Sequence, residues 1–190
     1  MDLRRTLLLF SFIFTGSLAI AQPKDRWTIQ DGGAIRWSIN DNIPHDDHLE
    51  MSGQQLSVVL RYGVDAQKRF HLNRSLVFPM LRMHPNKTQN NLKQRFDVNI
   101  PALVTVDDQT LLNEEVRDVT FNGIMRVESS FGYIYRRKEL KDAVQLTRVL
   151  YPSTNAAHYC EEYTFKNSSP NQITLRVPEW NVIYTTPEEA

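Results

Sequence analysis

The chain has 190 residues, 41% hydrophobic and 23% charged, and its 22 basic residues balance 22 acidic ones. That length suffices for one adequate core. A balanced charge without a basic stripe excludes nucleic acid and an anionic membrane surface as partners. With one cysteine, Cys160, no intrachain disulfide is possible, so an exported fold of this size must rest on its packing.

In chain order, Arg4 and Arg5 precede an apolar run over 7–14 broken only by Ser11, and Ala19-Ile20-Ala21 then offers small residues to signal peptidase. This predicts a signal peptide over 1–21 and an exported chain, periplasmic or extracellular, over 22–190. The run is shorter than the about 20 apolar residues of a membrane span. No comparable run follows, so no membrane is expected after cleavage. Losing Arg4, Arg5 and Asp2 brings the net charge to −1.

Residues 34–39 alternate apolar and polar, as a strand with one wet face does. His45-Asp46-Asp47-His48-Leu49-Glu50 is the densest cluster of titratable groups. Pro44 before it and Gly53 after it predict a loop leading into a strand over 56–62. Gly63 and Asp65 suit a hairpin turn, followed by strands over 69–72 and 76–80. Pro79 marks an edge or bulge there. A polar loop over 84–91 and one helical turn over 91–96 come next.

The second half is more regular. Residues 110–127 form one long strand, or two joined near Asn122-Gly123. Further strands are expected over 133–136, 144–151, 157–165 and 173–177, separated by Pro152-Ser153-Thr154-Asn155 and by the turn formers of 166–171. Many short strands at near-regular spacing predict an all-β antiparallel β-sandwich with at most one or two short helical turns. Arg136-Arg137-Lys138 reads as a solvated strand end. Asn181-Val182-Ile183-Tyr184 looks strand-like, close to Ala190, so the chain is expected to be truncated before a larger domain.

The cluster at 45–53 has three readings. His45 and His48 with Glu50 offer metal ligands, but there is no His-Glu-x-x-His pattern and no downstream ligand pair of suitable spacing; no metal and no cofactor are expected. Asp46, Asp47 and Glu50 offer acid and base. Neighbouring carboxylates in one loop, however, rarely span the about 5–9.5 Å of glycoside hydrolysis. The third reading, a shaped loop presenting a polar rim, is preferred. Trp180, after Pro178-Glu179, is the aromatic best placed to meet a sugar ring. No phosphate loop or nucleophile elbow is present, and Cys160 reads as structural.

Tyr151-Pro152-Ser153, then Glu161-Glu162-Tyr163-Thr164-Phe165-Lys166-Asn167, then Ile173-Thr174-Leu175-Arg176-Val177 resemble the N-terminal β-supersandwich of six-hairpin glycosidases. Residues 45–53, 78–82 and 84–86 are similar to exported members from gut Bacteroidetes. The resemblance implies one sandwich domain over 22–190, packed against a following (α/α)6 barrel that carries the catalytic carboxylates. It therefore implies no catalytic residue in this chain. The partner would be that barrel in cis, with a glycan as substrate, and His45, Asp46, Asp47, His48, Glu50 and Trp180 would be rim candidates. The alternative is a stand-alone carbohydrate-binding or protein-interaction sandwich.

Overall fold

A computed structural model describes residues 26–82 and 91–183. The expected signal peptide, most of the expected polar loop at 84–91, and residues 184–190 lie outside the described residues.

The fold is all-β, and every strand pairing is antiparallel. A six-stranded sheet runs in the order β1-β2-β9-β10-β11-β12. Its strands are β1 (Thr28–Ile29), β2 (Ile35–Ser38), β9 (Leu112–Phe121), β10 (Met125–Tyr135), β11 (Lys138–Pro152) and β12 (Tyr159–Asn167). A four-stranded sheet has the order β3-β4-β5-β6: His45–Ser52, Ser57–Val64, Phe70–Arg82 and Asn91–Phe96. A small sheet, β13-β7-β8, joins Leu175–Arg176, Thr105–Val106 and Gln109–Thr110.

Period-two alternation builds the core directly. Val58, Leu60, Tyr62 and Val64 of β4 are buried, and so are Val116 and Val119 of β9, Met125 and Val127 of β10 and Leu150 of β11. These form one cluster with Trp37, Met51 and Phe70, which bonds the four-stranded sheet to the six-stranded one. Each buried Leu or Val contributes about 1.5–3 kcal/mol of hydrophobic stabilisation. A second cluster lies further along β10 and β11. There Phe131, Tyr133, Val144 and Leu146 meet Val106, with Leu111, Ile173 and Leu175 packed around them. One face of the six-stranded sheet is thus covered by two different sheets.

Turn chemistry closes the hairpins. Gly123, at φ 96°, joins β9 to β10, with the Asn122 N–H donating to the Ile124 carbonyl at 3.2 Å. Asp107-Asp108 and Arg136-Arg137 are two-residue loops whose φ values are all positive, as a type I′ turn demands. The basic cluster at 136–138 is therefore the β10–β11 strand end expected for it. The bulge expected at Pro79 coincides with a register shift between Phe78 and Arg82.

Three local expectations are corrected. Residues 91–96 pair with β5 as a strand instead of a helical turn, because the ladder on the long β5 outweighs a single unsupported helical turn. Residues 181–183 form no strand. The cluster at 45–53 is not a loop but the edge strand β3, paired residue for residue with β4 from His45 opposite Val64 to Ser52 opposite Ser57.

Candidate functional site

Because β3 is a strand, its titratable groups alternate between two faces. Asp46, His48 and Glu50 point outward, while His45 and Asp47 lie on the face that also carries Met51. The His45 ring packs edge-on against Trp37 at 5.0 Å between centroids, with Nε2 3.5 Å from Asp47 Oδ2. The cluster therefore does not converge on one reacting atom. Among the described residues, no group of three or more His, Cys, Asp or Glu is placed to hold a metal ion.

On the outer face, Asp46 Oδ1 lies 2.5 Å from His71 Nε2 of β5, across the intervening β4. Gly63 sits between them, opposite both. A Cβ there would come within 2.4 Å of Asp46 Oδ1 and of the His71 ring, so the bare glycine is what lets the pair close. In the next row His48, Arg61 and Asn73 are direct cross-strand neighbours. They line a shallow depression of about 380 Å³. Trp180 is elsewhere. It is 40% exposed and leans on Phe96 of β6, at the opposite edge of this sheet from β3, with centroids 5.3 Å apart and planes at 50°.

A second region was not anticipated. Between the two apolar clusters runs a charged seam. Arg148 of β11 lies on the same face as Leu146 and Leu150, 3% exposed, and donates to Glu114 of β9 at 2.6 Å and to Ser129 of β10 at 3.2 Å. Its guanidinium also stacks over Phe70, 5.2 Å from the ring centre. Arg74 of β5 is equally buried. It grips Glu161 of β12 through both Nε and Nη2, and its remaining donors reach the carbonyls of Leu72 and Val98 and the Tyr163 hydroxyl. Burial alone would lower the Arg74 pKa, but the Glu161 hydrogen bonds and charge hold it above its ordinary value. Burial, and then the Glu161 charge, push the Tyr163 hydroxyl well above its usual range.

Where the seam opens to solvent it forms a groove. Its widest part, about 560 Å³, is walled by the β4–β5 turn and by strands β9 and β11. Two residues inside strands have left-handed backbone there, Asn113 at φ 47° and Asp142 at φ 52°. They sit at bulges on either side of Gly132, where the pairing of β10 with both neighbours shifts register. A bulge re-aims the side chain it carries. Asn113 donates to Glu139 Oε1 at 3.0 Å. Asp142 accepts from Ser130 at 2.6 Å and from Arg117 at 2.9 Å. These bonds, Ser130 first, hold the Asp142 carboxyl below the usual range against an opposing effect of burial.

Of the residues singled out in the sequence, the structure joins Asp46 and His48 on one depression with His71 and Arg61. It separates them from Trp180. The seam had a sequence signal, because Arg148 occupies a core position in Leu146-x-Arg148-x-Leu150, and Arg74 does so in Leu72-x-Arg74-x-Leu76. A charge at a core-parity position needs a buried partner. No family model matches the chain, and no match is found among curated proteins or solved structures.

Proposed function

We propose that this chain is the non-catalytic N-terminal β-sandwich of an exported carbohydrate-active enzyme of the six-hairpin glycosidase type. A following (α/α)6 domain would carry the acid and base. The observation that carries the reading is the state of the carboxylates. A glycosidase acid needs a raised pKa and an opposed partner across the substrate. Here three carboxylates beside the clefts are committed to arginines: Glu114 to Arg148, Asp142 to Arg117 and Asp65 to Arg69. For Asp65 and Asp142 the net shift is downward, which favours the anion.

The residues of the resemblance have structural work that fits a scaffold. The Tyr151 hydroxyl donates to Glu162 across β11 and β12 at 2.5 Å. Pro152 ends β11. Asn167 Oδ1 accepts from the Ser169 N–H at 2.9 Å and so shapes the turn after β12. On this reading the outer row of β3, with Asp46, His48 and Glu50, rims a cleft that the second domain completes.

The test is hydrolysis by the chain alone, on a panel of plant and host glycans. No release of reducing ends is expected, and robust turnover sinks the assignment. In an enzyme carrying both domains, His48→Ala or Glu50→Ala should raise KM and leave kcat near wild type. Complete loss of kcat with an intact fold would overturn the rim role. The rival, a stand-alone carbohydrate-binding sandwich, draws on the part-exposed Trp180. It predicts saturable glycan binding weakened by Trp180→Ala.

A further inference from the structure

We propose that the groove over β9–β11, walled by the β4–β5 turn and by residues 97–102, is a binding cleft for an extended, uncharged oligosaccharide. The inference rests on the carbohydrate-active reading for the identity of its ligand, but its location and shape come from the fold. The widest depression continues into a second of about 340 Å³, with Arg69, Asn113 and Glu114 common to both. The second continues into a third of about 160 Å³ through Phe70, His71, Asn99 and Pro101. Three linked depressions make a channel along the surface, suited to a chain of residues more than to one compact molecule.

Its construction is costly in ways that stability alone does not explain. The Arg148–Glu114 pair lines it, although a well-packed apolar pair of the same volume would be about as stable, or more so. Asn113 and Asp142 hold left-handed backbone within strands, a conformation that costs an L-residue roughly 1–2 kcal/mol and concentrates at ligand sites. Asn and Asp are the residues that tolerate it best, and they bring an amide and a carboxylate to the wall.

The lining chemistry selects the ligand class. In the wide part Lys68, Arg69 and Lys141 face Glu114, Glu115, Glu139 and Asp142, so no excess of positive charge attracts a phosphate or a polyanion. Amides recur along the channel at Gln67, Asn99 and Asn113, and each offers donor and acceptor together, as paired sugar hydroxyls require. Between them the partly exposed Leu111 offers an apolar edge to the carbon face of a ring, while Phe70, Pro101 and Phe131 are buried core residues.

The experiment titrates the whole chain with cello-, xylo- and manno-hexaose by calorimetry and amide NMR. An oligogalacturonate and an extended Ser/Thr-rich peptide are run in parallel. Asn113→Gly keeps the left-handed backbone and removes one amide. Asn99→Ala removes another, whose side chain makes no cap bond to the 3-10 turn that follows. Saturable binding of at least one neutral sugar is expected, weakened roughly tenfold by each substitution, as loss of one hydrogen bond implies. Lys166→Gln, an exposed change on β12, should leave it unchanged. Thermal melts must show both groove variants folded; if one unfolds, the other carries the test. Sugar binding that both variants retain overturns the groove and leaves the carbohydrate-active reading standing. Failure of every neutral sugar to bind, or binding of the peptide or the polyanion alone, overturns the groove too. The wider reading is judged separately, by hydrolysis in an enzyme carrying both domains.

Discussion

Leu150 and Arg148 lie two residues apart on the same face of β11, and both are at least 97% buried. Leu150 meets the four-stranded sheet in an apolar cluster, where many small contacts add up and none is indispensable. Arg148 stands where the cover of the six-stranded sheet opens, and its burial is tolerable only while Glu114 and Ser129 complete it. The apolar half should therefore degrade gradually as atoms are removed. The charged seam should fail abruptly when one partner goes.

The largest effect is expected at the seam. Glu114→Ala strands a buried guanidinium and should cost about 3–5 kcal/mol in urea denaturation, whereas Glu114→Leu combined with Arg148→Met should be near neutral. A single change costing under about 1 kcal/mol would mean that water solvates the seam and that the contrast is false. In the apolar half, Leu60→Ala should cost about 2–5 kcal/mol, depending on how far the cavity collapses. A denaturant slope equal to wild type would confirm that only packing has changed.

A smaller effect is expected at Gly53, where a Cβ would lie 2.0 Å from the Ser153 carbonyl oxygen. This holds the β3–β4 hairpin against the β11–β12 turn, so Gly53→Ala should cost about 1–3 kcal/mol by forcing the backbone apart. An unchanged melting temperature would show that the contact relaxes freely.

Smallest is the surface pair of Asp118 with Arg36, 2.7 Å apart. Burial raises the Asp118 pKa, but bonds from Arg36 and Ser38 outweigh it and leave the pKa lowered. A depressed carboxyl contributes stability above its unfolded pKa of about 3.9, and that stability is lost as pH falls through the folded value. Asp118→Asn should thus cost about 0.2–1 kcal/mol at pH 7. It should also make the acid limb of the stability curve shallower below about pH 4. Parallel acid limbs for variant and wild type would contradict the pairing.

Much of the fold was legible because alternation maps directly onto the two faces of a strand. Residues 57–62 of the expected 56–62 lie in β4, residues 144–151 lie in β11, and the Asn122-Gly123 turn falls between β9 and β10, as the pattern required. The cluster at 45–53 misled because Pro44 and Gly53 outweighed the alternation His45, Asp47, Leu49, Met51, which already implied two faces. Residues 91–96 misled because β5 supplies their partner through the ladder, and a local pattern cannot see it. The bulges were illegible for the same reason. Asn113 and Asp142 are ordinary polar residues until register with β10 forces their backbone over.

The sequence by itself determined the fold class, the strand faces, most turns and the presence of arginines at core positions. These depend on residues close together in the chain. Only the tertiary structure decided which carboxylate each arginine meets, since Glu114 is 34 positions from Arg148 and Glu161 is 87 from Arg74. It also decided that β3 is an edge strand paired with β4, and that the cover of the six-stranded sheet opens above the seam. Sheet packing brings such distant groups together, and no local pattern of residues encodes the gap that it leaves.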